Sequence, residues 1–386
     1  MEGFVFNTAK SIICAPGAIS RLGEIVKKEI GLSVLIVTDP GLIEAGLLAP
    51  AEASLKAAGV NISVFSDVVA DPPAHVVEQA VASAKAAGVV GVIGLGGGSS
   101  MDVAKLVAFL MGSDEQLDDI YGVNVAQGKR LPLIQIPTTA GTGSEVTPIS
   151  IITVGETEKK GVVAPQLLPD VALLDADLTL GLPPHVTAAT GVDAMVHAIE
   201  AYTSASANNN PVSKALAREA LGLLGSSISK AVHQGDDKAA RSNMLLGSML
   251  AGQAFANSPV AAVHALAYPL GGVFHIPHGL SNALILPHVM KFNAEACADG
   301  YAVIASDVFP DLGGIENRDQ RVDEFIGRIS QLNKQLGLQS TLREMNIGEE
   351  DLPGLASDAM KQTRLLVNNP RPVDEADALK IYQEAY

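Results

Sequence analysis

An α/β half built on a parallel sheet, followed by an all-helical half, is the fold this sequence predicts. Short apolar, β-branched runs alternate with amphipathic stretches as far as about residue 184. Beyond that point the pattern is helical to the C-terminus. The chain has 386 residues, more than one core usually supports, so two units are expected. The boundary is expected at GLPPHV, where two prolines can open a helix, giving residues 1–184 and 185–386. A cleft between the halves is then the natural place for a ligand.

The elements follow in order. FVFN and KSIICA are expected as opening strands, and AISRLGEIVKKEI as the first helix after Gly17. LSVLIVTD is a continuous apolar run, short and β-branched, as a strand buried on both faces requires. Helix AEASLKAAG, strand ISVFSDV, helix AHVVEQAVASAKAAG, strand VVGVIGLG and helix SMDVAKLVAFLM come next. LPLIQIPTT is a further buried strand, and EVTPISIITV and VALLDADLTL add strand-like material. The second half offers VTAATGVDAMVHAIEAYTS, PVSKALAREALGLLGSSISKAV, AARSNMLLGSMLAGQAFANS, RVDEFIGRISQLNKQLG and DEADALKIYQEAY as helices.

Composition excludes several classes of function. A formal net charge of −16 argues against binding nucleic acid or an anionic membrane, and the chain has no tryptophan on which a base could stack. No apolar stretch approaches the roughly 20 residues that span a bilayer. Cys14 and Cys297 are far apart, and MEGFVFNTAK lacks a basic start followed by an apolar core, so a reducing cytoplasm is expected.

Strand VVGVIGLG runs into GGGSSMDVAK. Gly96, Gly97 and Gly98 fall where a strand ends and a helix begins, a place where backbone can approach a phosphate and free N–H groups favour its charge. Ser99 and Ser100 are expected to cap that helix and to donate to phosphate. A tight turn needing glycine for conformation alone uses the same residues. The run is neither G-x-G-x-x-G, since Ser99 stands at the third position, nor a P-loop. Asp39, after LSVLIVTD, suits the ribose hydroxyls of an adenosine and favours NAD over NADP; it equally suits the turn TDPG. Thr138, Thr139 and Thr142 in PTTAGTGSEVT form a polar rim at a strand's carboxyl end, where ligands of open sheets bind, or a simple hydroxyl turn.

Two further runs carry metal chemistry. Asp193 and His197 stand four apart in ATGVDAMVHAIEAY, so a helix projects both from one face. His264 and His278 flank HALAYPLGGVFHIPHGLSNA. There Pro269 and the Gly271–Gly272 pair are expected to break the helix and fold the two imidazoles back to one point. One carboxylate and three imidazoles suit zinc or ferrous iron. Singly, each residue also suits an ion pair, a core position or a cap. The apolar surroundings favour a metal, because a buried carboxylate needs compensation.

Together GGGSSMD, PTTAGTGSEVT, PDVALLDADL, LPPHVTAATGVDAMVHAIEAY, HALAYPLGGVFHIPHGLSNA and NNPRPVDEADA resemble the iron-containing (group III) alcohol dehydrogenase family over essentially the whole chain. The resemblance implies an N-terminal dinucleotide-binding α/β domain and an all-α metal-binding C-terminal domain, the architecture shared with dehydroquinate synthase. It implies Asp193, His197, His264 and His278 as metal ligands and the catalytic set. It implies Asp39, Gly97, Gly98, Ser99, Thr138, Thr139, Thr147, Lys160, Leu178 and Gly181 as contacts to NAD. Members are often dimers, so a homodimer or higher homo-oligomer is expected. One departure stands out: many alcohol-reducing relatives carry a second histidine four residues after the third ligand, where this chain has Tyr268. A phenol with an ordinary pKa of about 10 is a poor proton carrier at neutral pH. His275, three residues before His278, is a substitute or a surface residue.

The activity implied is hydride transfer between NAD(H) and a small primary alcohol or aldehyde, with Fe2+ or Zn2+ polarising the substrate oxygen. Alternatives are a maleylacetate-type reductase, a metal-dependent lyase of the dehydroquinate-synthase type, and a non-catalytic metal- or nucleotide-binding assembly protein. HALAYPLGGVFHIPHGLSN contains no Lys or Arg, which speaks against a phosphorylated or carboxylated substrate.

Overall fold

Nine strands alternate with five helices in the first half of the computed structural model, which describes residues 3–155 and 158–386. They are β1 (Ser11–Cys14), α1 (Leu22–Glu29), β2 (Ser33–Val37), α2 (Pro40–Glu44), α3 (Leu48–Ala57), β3 (Asn61–Phe65), α4 (Ala74–Ala87), β4 (Gly91–Gly96), α5 (Gly98–Gly112), β5 (Gly122–Val123), β6 (Leu133–Pro137), β7 (Ile149–Val154), β8 (Glu158–Val163) and β9 (Val171–Leu174). Six of the strands form one parallel sheet in the order β1-β9-β6-β4-β2-β3. Alternation along each strand sends side chains to opposite faces. Leu35, Val37, Val92 and Leu133 join a core with Val77 and Ala80 of α4 and Val103 and Val107 of α5. Val34, Ile36, Ile93, Leu95, Ile134 and Ile136 join a second core with Leu22 and Val26 of α1 and Leu55 of α3. Strands covered on both faces need an uninterrupted apolar run, and each such side chain contributes about 1.5–3 kcal/mol.

The order of strands fixes where a ligand can bind. From β2 the chain crosses through α3 to β3 on one side, then through α4 to β4 on the other. The connections therefore diverge between β2 and β4, and a crevice opens at the carboxyl ends of those two strands. Asp39 follows β2 and the glycine turn follows β4.

A second sheet, β5-β8-β7, was not legible as such. β7 and β8 form an antiparallel hairpin, with Ile152 opposite Lys160. The sequence of β8, EKKGVV, is half polar and gives little strand signal. FVFN is not a strand. Instead the Val5 N–H donates to Asn208 Oδ1 at 2.9 Å, and Asn208 Nδ2 donates to the Val5 carbonyl at 2.9 Å. One side-chain amide takes the place of a neighbouring strand.

The second compact unit comprises Leu182–Tyr386 with the first six residues, and the first spans Asn7–Gly181. Among its described residues the larger elements are all helical: α6 (Pro184–Thr203), α7 (Pro211–His233), α8 (Lys238–Asn257), α9 (Ala262–Phe274), α10 (His278–Val308), α11 (Arg318–Gln335), α12 (Leu352–Ala359), α13 (Thr363–Leu366) and α14 (Glu375–Ala385). Helix α6 is buried without interruption from Gly191 to Ala201, so its polar residues must find partners inside. Helix α10 approaches α6 at Gly279, where a Cβ would lie 2.5 Å from the Ala189 carbonyl oxygen and 3.4 Å from the Asp193 Cβ. Only glycine lets the two backbones come this close.

The break expected at Pro269 and Gly271–Gly272 falls later. Helix α9 runs through all three to Phe274, because Ala262–Ala267, Pro269 and Leu270 are buried and their packing holds the backbone helical. Pro269 removes one donor from that ladder and crowds the carbonyl one turn back, a cost the packing absorbs. The chain turns at His275, which takes a left-handed conformation (φ 56), and Pro277 then starts α10. No described helix is long and apolar enough to cross a membrane.

Candidate metal centre and cofactor turn

Helix α6 presents Asp193 and His197 one turn apart. The first turn of α9 supplies His264, and the first residue of α10 supplies His278. One candidate ligand atom from each of these four side chains lies within 4.8 Å of all the others, so the group could hold a metal ion. His197 is stacked between Phe255 (centroids 4.3 Å) and His264 (4.8 Å), which fixes its ring plane. Asp193, His197 and His264 are buried, whereas the His278 side chain is 41% exposed and forms the open side of the group.

Glu200, one further turn along α6, sets the chemistry of His264. Its Oε2 accepts from His264 Nδ1 at 2.7 Å and from the Ala261 N–H at 3.0 Å; its Oε1 accepts from the Val263 N–H at 2.7 Å. The carboxylate thus satisfies the start of α9 and holds the proton on Nδ1, leaving the Nε2 lone pair facing Asp193. Burial alone drives the Asp193 carboxyl up. The facing His197, His278 and His264 rings and a hydrogen bond from Asn282 outweigh it and hold the carboxyl below its ordinary value. An anionic oxygen and three imidazoles, one with its tautomer fixed, match the donor preference of a divalent first-row cation.

Glu200 and Asn282 escaped the sequence reading. Glu200 was within reach of it: positions 193, 197 and 200 share one helical face. Asn282 stands four residues after His278 on α10, and its amide nitrogen lies 2.6 Å from Asp193 Oδ1. Tyr268 lies beside His278, ring centroids 6.0 Å apart. His275 is exposed at the end of α9.

In the α/β unit the glycine turn and Asp39 come together. The Thr138 N–H donates to the Gly96 carbonyl at 3.0 Å, closing the ends of β4 and β6. Gly96 has φ 153, a conformation that side chains rarely adopt. A Cβ at Gly98 would meet Thr142 at 2.9 Å, whereas one at Gly97 would meet nothing nearer than Thr139 at 3.7 Å. A methyl over Gly97 would thus make only ordinary contact with Thr139, so the backbone there is not crowded by its own chain. Asp39 does cap α2, its Oδ1 accepting from the Leu42 N–H at 3.0 Å, while Oδ2 lies 3.3 Å from Ser100 Oγ. Ser99 and Ser100 do not cap α5: Gly97 is the N-cap, no side chain bonds there, and both serines lie within the helix. Capping requires the extended backbone that Gly97 has.

Helix α5 also holds the threonine loop. Lys105 is fully buried, and its Nζ donates to Ser144 Oγ (2.6 Å), Thr147 Oγ1 (3.2 Å) and the Ile149 carbonyl (2.6 Å). Asp102 accepts from Ser144 Oγ at 2.6 Å and from the Ile151 N–H at 2.9 Å. Burial lowers the Lys105 pKa despite Asp102, and burial pushes the nearby Glu145 up to about 7. Lys160 lies on β8 with its ammonium 5.4 Å from the centre of the Tyr121 ring. Leu178 is packed in the core with Leu42 and Leu95, and Gly181 is exposed.

Residues 9–176 match the family described as iron-containing alcohol dehydrogenase, and residues 187–386 match its C-terminal counterpart. This chain belongs to the iron-containing alcohol dehydrogenase family. It is 44% identical to long-chain-alcohol dehydrogenase 1 of Geobacillus thermodenitrificans over 376 residues, 96% of this chain and 93% of that protein. Among solved structures it resembles a 1,3-propanediol oxidoreductase, with TM-score 0.96, 33% identity and complete coverage of both chains. It also resembles a sulfoacetaldehyde reductase from Bifidobacterium kashiwanohense in complex with NAD+, with TM-score 0.87, 27% identity and coverage of 100% and 99%. As an iron-containing alcohol dehydrogenase the chain is an oxidoreductase of alcohols and aldehydes, and the two-part fold read from the sequence is the family's.

Proposed function

We propose that this dehydrogenase moves a hydride between NAD(H) and a small, uncharged primary alcohol or aldehyde, with one divalent metal held by Asp193, His197, His264 and His278. The convergence of these four side chains within 4.8 Å carries this reading. Family membership points to iron, and the donor set suits zinc equally well. When bound, the metal supplies Lewis acidity toward the substrate oxygen and the nicotinamide supplies the hydride exchange. Asp193 brings the anionic donor, Glu200 keeps His264 in the ligating tautomer, and His278 leaves the substrate side open. Gly97, Gly98 and Ser99 at the start of α5 are assigned to the diphosphate, and Asp39 to the adenosine ribose. Thr138, Thr139, Thr147, Lys160, Leu178 and Gly181 complete the proposed cofactor contacts. Family resemblance further supports a cytoplasmic homo-oligomer, which light scattering on the purified protein measures.

The test is metal analysis of anaerobically purified protein, then chelator stripping and reloading with Fe2+ or Zn2+. Each form is assayed by NADH absorbance against a panel of short alcohols and aldehydes. Turnover that survives complete stripping, or a protein that takes up no metal, sinks the proposal.

A further inference from the structure

Lys105 stands two turns into α5 with no exposed surface. Taking an ammonium out of water is costly, and an apolar side chain of the same length would fill the position at less cost. Stability alone therefore does not account for a lysine here. Its three hydrogens face four oxygens: Ser144 Oγ and the Ile149 carbonyl, each at 2.6 Å, Thr147 Oγ1 at 3.2 Å and Asp102 Oδ1 at 3.4 Å. Three of the four belong to residues 144–149, so the ammonium draws that stretch onto α5 at both of its ends. Asp102 continues the seam, its Oδ2 accepting from the Ile151 N–H at 2.9 Å and its carbonyl from Ser150 Oγ at 3.0 Å. Thr147 Oγ1 accepts from Lys105, and its own hydrogen has the Ser144 carbonyl at 3.5 Å, the limit of a hydrogen bond. Lys105 thus also fixes which way that hydroxyl's hydrogen points.

The loop held in this way follows β6, and the sheet runs β6-β4-β2 at that point, with strands about 4.8 Å apart. Asp39 follows β2, the glycine turn follows β4 and the threonine loop follows β6. A dinucleotide with its adenosine ribose at Asp39 and its diphosphate at Gly97 lies along this line, and its nicotinamide riboside then comes over the loop. The loop's start is held against the turn, by the Thr138 N–H on the Gly96 carbonyl and by Thr142 beside Gly98. Its far end is held by Lys105. We infer that Lys105 is a positioning residue for the nicotinamide half of the cofactor, setting where residues 144–149 stand without touching the ligand itself. This rests on the proposed placement of NAD at Asp39 and Gly97. The four oxygens around the ammonium include none from Asp39 or the glycine turn, so the adenosine half does not depend on it.

The experiment compares wild type with Lys105→Met, which keeps the reach of the side chain and removes the ammonium. Dissociation constants are measured by calorimetry for NAD and for ADP, which carries the adenosine and diphosphate alone. Circular dichroism melting identifies any variant that does not fold. In Lys105→Met, NAD affinity should fall about tenfold or more while ADP affinity stays within about twofold. Ser144→Ala keeps the lysine and removes one of its acceptors. It should show the same split at about threefold, and it decides the matter if the methionine variant fails to fold. A lysine that merely supported the fold would weaken both ligands together. Unchanged NAD affinity, or an ADP loss as large as the NAD loss, overturns the inference in either variant. Gly97→Ala in the same assay checks the placement beneath it: unchanged ADP affinity there sinks the location of the cofactor itself.

Discussion

Glu200 joins two jobs on one carboxylate, capping α9 and fixing the His264 tautomer. Glu200→Gln turns one accepting oxygen into a donor that faces another donor. Metal affinity should fall about 10–100-fold, and melting should register a loss of about 1–3 kcal/mol. Competition with a chelator and a thermal melt read the two effects separately, and unchanged affinity would remove Glu200 from the site. Glu145 makes the opposite kind of prediction. Its folded-state pKa, about 7, is raised by burial above the value of 4.5 it has when exposed. Between those values the folded chain holds a proton that the unfolded chain has lost, so its contribution is present at low pH and disappears as pH rises through about 7. The drop in melting temperature from about pH 5 to about pH 8 should be smaller in Glu145→Gln than in wild type. At this scale the four side chains that converge could be singled out from the sequence, Asp193 and His197 by their spacing and His264 and His278 by their place around Pro269 and the two glycines. Asn282 could not, because an asparagine in an apolar helix carries no charge or ligand pattern that marks it.

Helix α5 shows how one element organises a site from both ends. Its start opens onto the space over Gly97, and its second turn pins the threonine loop through Asp102 and Lys105. Gly97→Ala should fold as wild type, since the new methyl meets nothing nearer than 3.7 Å, yet bind NAD at least about tenfold more weakly by fluorescence titration. Equal affinity would place the cofactor elsewhere. The α9–α10 pair shows where local signals mislead. Pro269 and two glycines suggest a break, but the buried run Ala262–Ala267, Pro269 and Leu270 kept the helix intact, and the turn fell on His275. His275→Gly should leave metal affinity and turnover unaltered and change stability by no more than about 1 kcal/mol, because glycine suits that left-handed backbone. A large loss of turnover would instead give His275 a place in proton transfer.

The molecule divides its proposed equipment between two compact bodies: the metal-ligand set lies in Leu182–Tyr386 and the glycine turn in Asn7–Gly181. Each ligand should therefore protect its own body first. At about 100 times its dissociation constant a ligand adds about 2.7 kcal/mol to the state that binds it. Hydrogen exchange should slow in α6, α9 and α10 on adding metal, and around β2, β4 and α5 on adding NAD; the reverse pattern would contradict the assignment. At this scale the sequence showed the change from an α/β to a helical half, because short continuous apolar runs between helical stretches give way to helical periodicity alone. Strand order was beyond it. The crossover that places Asp39 beside the glycine turn depends on which strands pair, and β8 hides its strand character behind Glu158, Lys159 and Lys160.

Gly279 has one more consequence. The approach of the helix that carries His278 to the helix that carries Asp193 depends on a methyl group that is missing at the contact of α10 with α6. Substituting alanine there would press a methyl against the Ala189 carbonyl oxygen and wedge the two helices apart, drawing His278 away from Asp193. A variant at that position therefore probes the proposed metal site through its backbone scaffold, with all four side chains left in place.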